Sequence, residues 1–179
     1  MATLGVDDFK SKLIGGGARP NLFKAIVNFP AYAAGDTELT SFMCKGAQLP
    51  ASVIAQLDLP FRGRQLKIAG DRTFENWTIT VINDSEMRVR NSFETWLNGI
   101  NEHVNNTGLQ NPTDYQADML IEQLGKDGSI TKTYTIRGGY PINVSQVDLS
   151  YDTNDQIEEF TVEIAYHHWE SNTTSLVGF

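Results

Sequence analysis

Histidines are the natural starting point for chemistry, and this chain has three: His103, His167 and His168. Adjacent residues on a strand point to opposite faces, so His167 and His168 do not share one metal ion. His103 follows the segment of helical periodicity and has no ligating partner three or four residues away. Glu158 and Glu159 are also strand neighbours, which makes them a poor general acid and base. Serines are plentiful, yet none stands in a Gly-x-Ser-x-Gly turn that would expose a nucleophile between strand and helix. Gly15-Gly16-Gly17 is followed by Pro20 and a strand pattern, so it reads as a flexible joint rather than a phosphate-cradling loop. Cys44 is the only cysteine, which excludes an internal disulfide and reads as a small half-buried hydrophobe. These spacings assemble no catalytic set, no metal site and no cofactor site, so an enzyme is not expected.

Length and charge narrow the classes further. A chain of 179 residues with 40% hydrophobic and 20% charged residues fits one folded domain. No run of about 18 apolar residues is present to cross a membrane, and the N-terminal segment lacks the apolar block of a secretory signal. The formal net charge is −8. Such a surface repels phosphate and gains nothing from counterion release, so adhesion to nucleic acid is not expected, although passage beside an acidic wall is allowed.

The elements that must carry the function are mainly strands. Residues 1–17 read as an arm, with an amphipathic piece (Phe9, Leu13, Ile14) ended by the three glycines. Segments 21–29 and 38–46 read as strands joined by a loop. Residues 47–68 are bounded by Pro50 and Pro60, sticky at Val53, Ile54, Leu57 and Leu59, and basic at Arg62, Arg64 and Lys67. An extended segment of that composition suits a projecting hairpin that needs another surface to cover it. Gly70-Asp71-Arg72 reads as a charged turn into a strand over 73–83, where Trp77, Ile79 and Val81 alternate.

Asp84 or Ser85 then caps a helix over about 85–104, whose stripe of Val89, Phe93, Trp96, Leu97, Ile100 and Val104 packs on a sheet. Two strand pairs follow, around Lys126-Asp127-Gly128 and around Thr153-Asn154-Asp155, and 171–179 is a tail. In the last strand Phe160, Val162, Ile164 and Tyr166 face one way, and Glu159, Thr161 and Glu163 the other. The expected fold is therefore mainly β: an antiparallel sandwich or barrel-forming sheet with one flanking helix. Open sheet edges invite neighbours, and a ring whose strands join into one barrel removes those edges.

Five blocks, taken in order, resemble the tail tube proteins of contractile-tailed bacteriophages. They are "ARPNLF" (18–23), "CK" with "LPA" (44–51), "AGDRTFENWTITVINDSE" (69–86), the Phe93-x-x-Trp96 pair, and "YPINVSQVDLSYDTNDQIEEFTVEIAYHHWE" (140–170). The resemblance covers residues 18–170 and implies a sandwich assembled as a hexameric ring, with four strands per subunit in a continuous barrel and rings stacked inside a contractile sheath. It implies a virion component assembled in the host cytoplasm. Its partners would be further copies of itself, the sheath, tape measure, baseplate and tail terminator proteins. Genome DNA would pass through the lumen without specific binding, with no membrane anchor and no cofactor. The same fold serves bacteriocin and type VI secretion tubes and baseplate tube initiators, which are the alternative functions.

Within that frame Glu159, Thr161 and Glu163 are the candidate lumen residues. Asp71 and Arg72 are expected to form ion pairs, either within one subunit or between subunits. Val53, Ile54, Leu57, Arg62, Arg64 and Lys67 are expected to meet an adjacent ring, the alternative being that segment 47–68 folds back on its own sandwich.

Overall fold

A computed structural model describes residues 5–174. Its order is α1 (Val6–Lys12), β1 (Phe23–Val27), α2 (Thr37–Met43), β2 (Cys44–Ala47), β3 (Val53–Phe61), β4 (Arg64–Thr73), β5 (Trp77–Ile82), α3 (Arg88–Ile100), α4 (Pro112–Tyr115), β6 (Ala117–Leu124), β7 (Ile130–Val144), β8 (Glu159–Ala165) and β9 (His168–Ser171). Residues 1–4 of the arm and 175–179 of the tail lie outside the described residues.

Among the described residues seven strands form one sheet: six follow the hydrogen-bonded path β1-β6-β7-β8-β5-β2, and β9 pairs with β7 off that path. Strand β7 is long enough to serve two layers. Its first part pairs with β6 and β9, and Tyr140–Val144 pairs with β8. The layers are thus β1-β6-β7-β9 and β7-β8-β5-β2. At the corner Gly138 has φ 64°, and a Cβ there would sit 2.4 Å from the His167 ring, so only glycine fits.

Period-two alternation places Trp77, Ile79 and Val81 of β5 with Phe160, Val162 and Ile164 of β8 on the inner face of one layer. Ala25, Val27, Met119, Ile121 and Ile136 come from the other, and Val89, Phe93 and Trp96 of α3 close the core. The Phe29 ring lies 5.0 Å from Phe93 and 5.5 Å from Trp96. Tyr32 donates to the Trp96 carbonyl at 3.0 Å, which fixes its ring over Gly99. A Cβ on Gly99 would lie 2.2 Å from that ring. Gly99→Ala should gain up to about 1 kcal/mol of helix propensity and lose about 1–3 kcal/mol to overpacking. Urea unfolding should show a net loss of stability.

Several sequence expectations are corrected. Residues 37–43 form helix α2 rather than the start of a strand, because the Asp36 carboxylate accepts from the Leu39 N–H at 3.0 Å and caps a first turn that carries Glu38. Only Cys44–Ala47 are extended. Helix α3 spans Arg88–Ile100 rather than about 85–104: residues 84–87 form a turn, and Asp84 Oδ1 accepts the Arg88 N–H at 2.8 Å. Residues 145–152 form a loop, not a strand, mostly exposed but with Val147 packed against the core, since Tyr140–Val144 already occupies the edge of β8 that they would need. The final strand breaks after Ala165, and His168–Ser171 moves to the other layer as β9. Ser171 is therefore a buried strand residue rather than the start of the tail.

Candidate assembly surfaces

Among the described residues, strands β3 and β4 pair only with each other and project from the sandwich. Arg62 and Gly63 join them with φ 48° and 81°, the positive values that a tight hairpin turn favours. The register sets Leu57 opposite Ile68, Leu59 opposite Leu66 and Phe61 opposite Arg64, all on one face. Gln56 with Ala69, Asp58 with Lys67 and Pro60 with Gln65 make the other face. One face is thus apolar and the other mostly polar, yet every residue from Ala51 to Ala69 is exposed. Phe61 is 65% exposed. In water such a face is costly, at roughly 25 cal/mol per Å² of apolar area.

The sequence candidates occupy distinct parts of this hairpin. Val53 shares the apolar face with Leu57 along β3, while Ile54 lies on the opposite face against Arg72. Arg62 and Arg64 sit at the tip, with the Arg62 guanidinium 5.4 Å from the Phe61 ring centre. Lys67 is on the polar face opposite Asp58. Asp71 and Arg72 are not in a turn: Gly70–Arg72 belong to β4, where the register slips between Ile54 and Gln56 as a β-bulge at the hairpin's base. Among the described residues neither has an ion-pair partner within 4.0 Å. Leu59, already named among the sticky residues, completes the apolar face with Phe61, Leu66 and Ile68; these last three were absent from the sequence candidates, although their alternation was there to be followed.

The second surface is the outer face of the layer β7-β8-β5-β2. Glu159, Thr161 and Glu163 lie along it on β8, beside Thr78 and Thr80 of β5. Lys45 reaches Glu159, a partner the sequence reading missed, and Asn76 donates to Glu163 at 2.8 Å. Lys45, Glu159 and Glu163 together leave one negative charge. More carboxylates, Asp148, Asp152, Asp155 and Glu158, cluster in the loop that enters β8. The layer ends in two edges unpaired within the chain, β2 and the Tyr140–Val144 part of β7. The three histidines are dispersed: His167 contacts Gln116, His168 lies 3.6 Å from Glu170, and His103 is exposed. Among the described residues no group of His, Cys, Asp and Glu is placed to hold a metal, and no helix is long and apolar enough to cross a membrane.

At the sandwich corner, Asp118 accepts from the Gly138 N–H at 3.0 Å and from Arg137, which also contacts Glu170 at 3.2 Å. Burial pushes the Asp118 carboxyl up, but those two donors outweigh it and hold it below the usual aspartate range. An unfolded aspartate titrates near 3.9, so the stabilisation is complete above about pH 4 and is lost as pH falls through the lower folded value. Asp118→Asn should flatten that acid loss in pH-dependent urea melts, while lowering stability at pH 7.

A family model described as phage tail tube protein matches residues 18–172. The chain belongs to the phage tail tube protein family. Tail tube proteins are structural components of the virion tail. This one is 32% identical to the tail tube protein gp19 of Enterobacteria phage T4 over 154 residues, covering 86% of the chain and 91% of the relative. It is 31% identical to the tail tube protein of Serratia phage KSP90 over 170 residues, covering 93% and 95%. The solved structure of the anti-feeding prophage tube-terminating cap shares the fold, with a TM-score of 0.66 at 14% identity over 88% of this chain and 92% of that one. The tail tube match begins at Ala18, so it includes the hairpin and the four-stranded layer and leaves out α1.

Proposed function

We propose that this chain is the non-catalytic building block of a hollow contractile-tail tube, in which six copies form a ring and rings stack to conduct genome DNA. The observation that carries stacking is the uncovered apolar face of the β3–β4 hairpin, which supports a contact with an adjacent ring. Ring closure draws support from strand parity. The layer β7-β8-β5-β2 is antiparallel throughout and has four strands, so β2 of one copy meets the next copy's Tyr140–Val144 edge antiparallel. An even count lets the pattern close without a mismatched pair, and closure removes both edges. Asp71 and Arg72, without ion-pair partners among the described residues, pair across copies at the hairpin's base. The sheath, tape measure, baseplate and terminator proteins complete the assembly.

Closure of this layer turns Glu159, Thr161 and Glu163 towards the lumen. Repulsion there is short-ranged, with a Debye length of about 8 Å at physiological salt, so DNA passes without adhering. Glu159→Lys with Glu163→Lys should leave tubes intact, because both positions lie away from the hairpin. DNA delivery should fall by roughly tenfold or more, since focused charge changes rates on that scale. Unchanged delivery in a plaque or DNA-release assay would remove these residues from the lumen.

Negative-stain electron microscopy of the purified chain, with and without a tube-initiating baseplate protein, tests the assembly. Hollow rods or six-fold rings are expected. A monodisperse monomer under both conditions would overturn the reading.

A further inference from the structure

A second apolar surface lies in the arm. Every residue from Gly5 to Leu13 is exposed, and α1 aligns Val6, Phe9 and Leu13 on one side at helical spacing. Gly15, Gly16 and Gly17 follow with φ of 72°, 79° and 80°, a run that only glycines adopt readily. Within one chain the arm does not cover the hairpin and the hairpin does not cover the arm: both are exposed.

We propose, resting on the tube assembly above, that α1 of one copy lies on the apolar face of the β3–β4 hairpin of a neighbouring copy. The dimensions agree. Seven helical residues span about 10 Å, and the ladder from Leu57 to Phe61 spans about 13 Å. Charge fixes the direction. Asp7 and Asp8 occupy the first turn of α1, and Lys10 and Lys12 the last. The hairpin is basic at its tip, through Arg62 and Arg64, whereas at its base Asp71 stands beside Arg72 and the two charges cancel. Seated with its first turn at the tip, α1 sets Asp7 and Asp8 against Arg62 and Arg64 and lays Phe9 among Leu57, Leu59 and Leu66. The glycine run is the joint that carries the arm from its own domain to the next copy. Stacking a new copy would then order an arm and cover a hairpin in one step, so neither apolar face persists in the finished tube.

Disulfide trapping decides it. In a Cys44→Ser background, one preparation carries Phe9→Cys and a second, mass-tagged preparation carries Leu59→Cys; the two are co-assembled and oxidised mildly. Denaturing non-reducing gels should show a mixed dimer at least tenfold above that obtained when Thr161→Cys replaces Leu59→Cys. A single chain carrying both Phe9→Cys and Leu59→Cys should give a ladder in rods. Rods without the mixed dimer, or with only an intrachain disulfide, overturn the proposal and leave the tube reading standing. If the Phe9→Cys chain assembles poorly, Val6→Cys paired with Phe61→Cys answers the same question. A wild-type chain that forms no rods even with its initiator removes the tube reading, and this proposal with it.

Discussion

A chain carrying Leu59→Glu and Leu66→Lys is expected to fold normally and to form no rods. The two residues face each other across the hairpin, so the substitutions replace an apolar pair by an ion pair in the same cross-strand position. Both leucines are more than half exposed, and the hairpin pairs with no other strand, so the isolated chain should keep its stability to within about 0.5 kcal/mol. Assembly is a different matter. Covering the exposed half of each leucine contributes about 0.8–1.6 kcal/mol, so the pair forfeits about 1.6–3 kcal/mol for every copy that stacks. At 1.4 kcal/mol per factor of ten that is about one to two decades per copy, before any penalty for burying the new charges. Asp58→Asn on the opposite face should change little. Circular dichroism melts beside light scattering and electron microscopy separate the two effects. Wild-type rods from the double variant would remove the hairpin from the contact, and an unfolded product would place it in the core.

How much of this was legible in the sequence depends on whether the deciding contact was local. The inner faces of β5 and β8 were readable because Trp77-x-Ile79-x-Val81 and Phe160-x-Val162-x-Ile164 alternate beside polar neighbours, and burial on one side imposes that period. The α3 stripe was readable for the same reason from Val89 to Ile100, but Val104 lies beyond the end of the helix and is 86% exposed, so it does not pack on the sheet. Residues 145–152 alternate too, at Val147, Leu149 and Tyr151, yet Leu149 is 80% exposed, because the strand edge they would need is already taken by residues 140–144. That is a non-local fact. Gly70-Asp71-Arg72 has turn composition, but its register against β3 makes it a bulge. Helix α2 was missed despite a local signal, the Asp36 cap, since Leu39 and Phe42 alone do not separate the two periods. The hairpin's apolar character was visible from Val53 to Leu59. What covers it was not, because the cover is not part of the same folded unit.

Trp96→Ala should give the opposite dissociation: a chain that assembles while it is folded but has lost much of its stability. Trp96 is fully buried, its ring parallel to that of Phe93 at 6.2 Å and tilted against Phe29 at 5.5 Å. Removing it leaves a cavity between α3 and the sandwich, at a cost of about 3–5 kcal/mol. It also deprives the half-buried Tyr115 carbonyl of the indole N–H that it accepts at 2.7 Å, and losing that hydrogen bond costs about 1 kcal/mol more. Against a total stability of about 5–15 kcal/mol, this brings the variant close to unfolding at ordinary temperature. Trp96→Phe separates the two contributions, since it refills most of the space but cannot donate. It should recover more than half of the loss in urea melts. None of these contacts involves the hairpin or the outer face of β8, so below its melting temperature the Trp96→Ala chain should still form rods. If it folds yet fails to assemble, α3 lies at a subunit contact as well as on the core. A loss under about 1 kcal/mol would mean that the surrounding aromatics collapse to fill the cavity, which the rigid backing of Phe29 and Phe93 argues against.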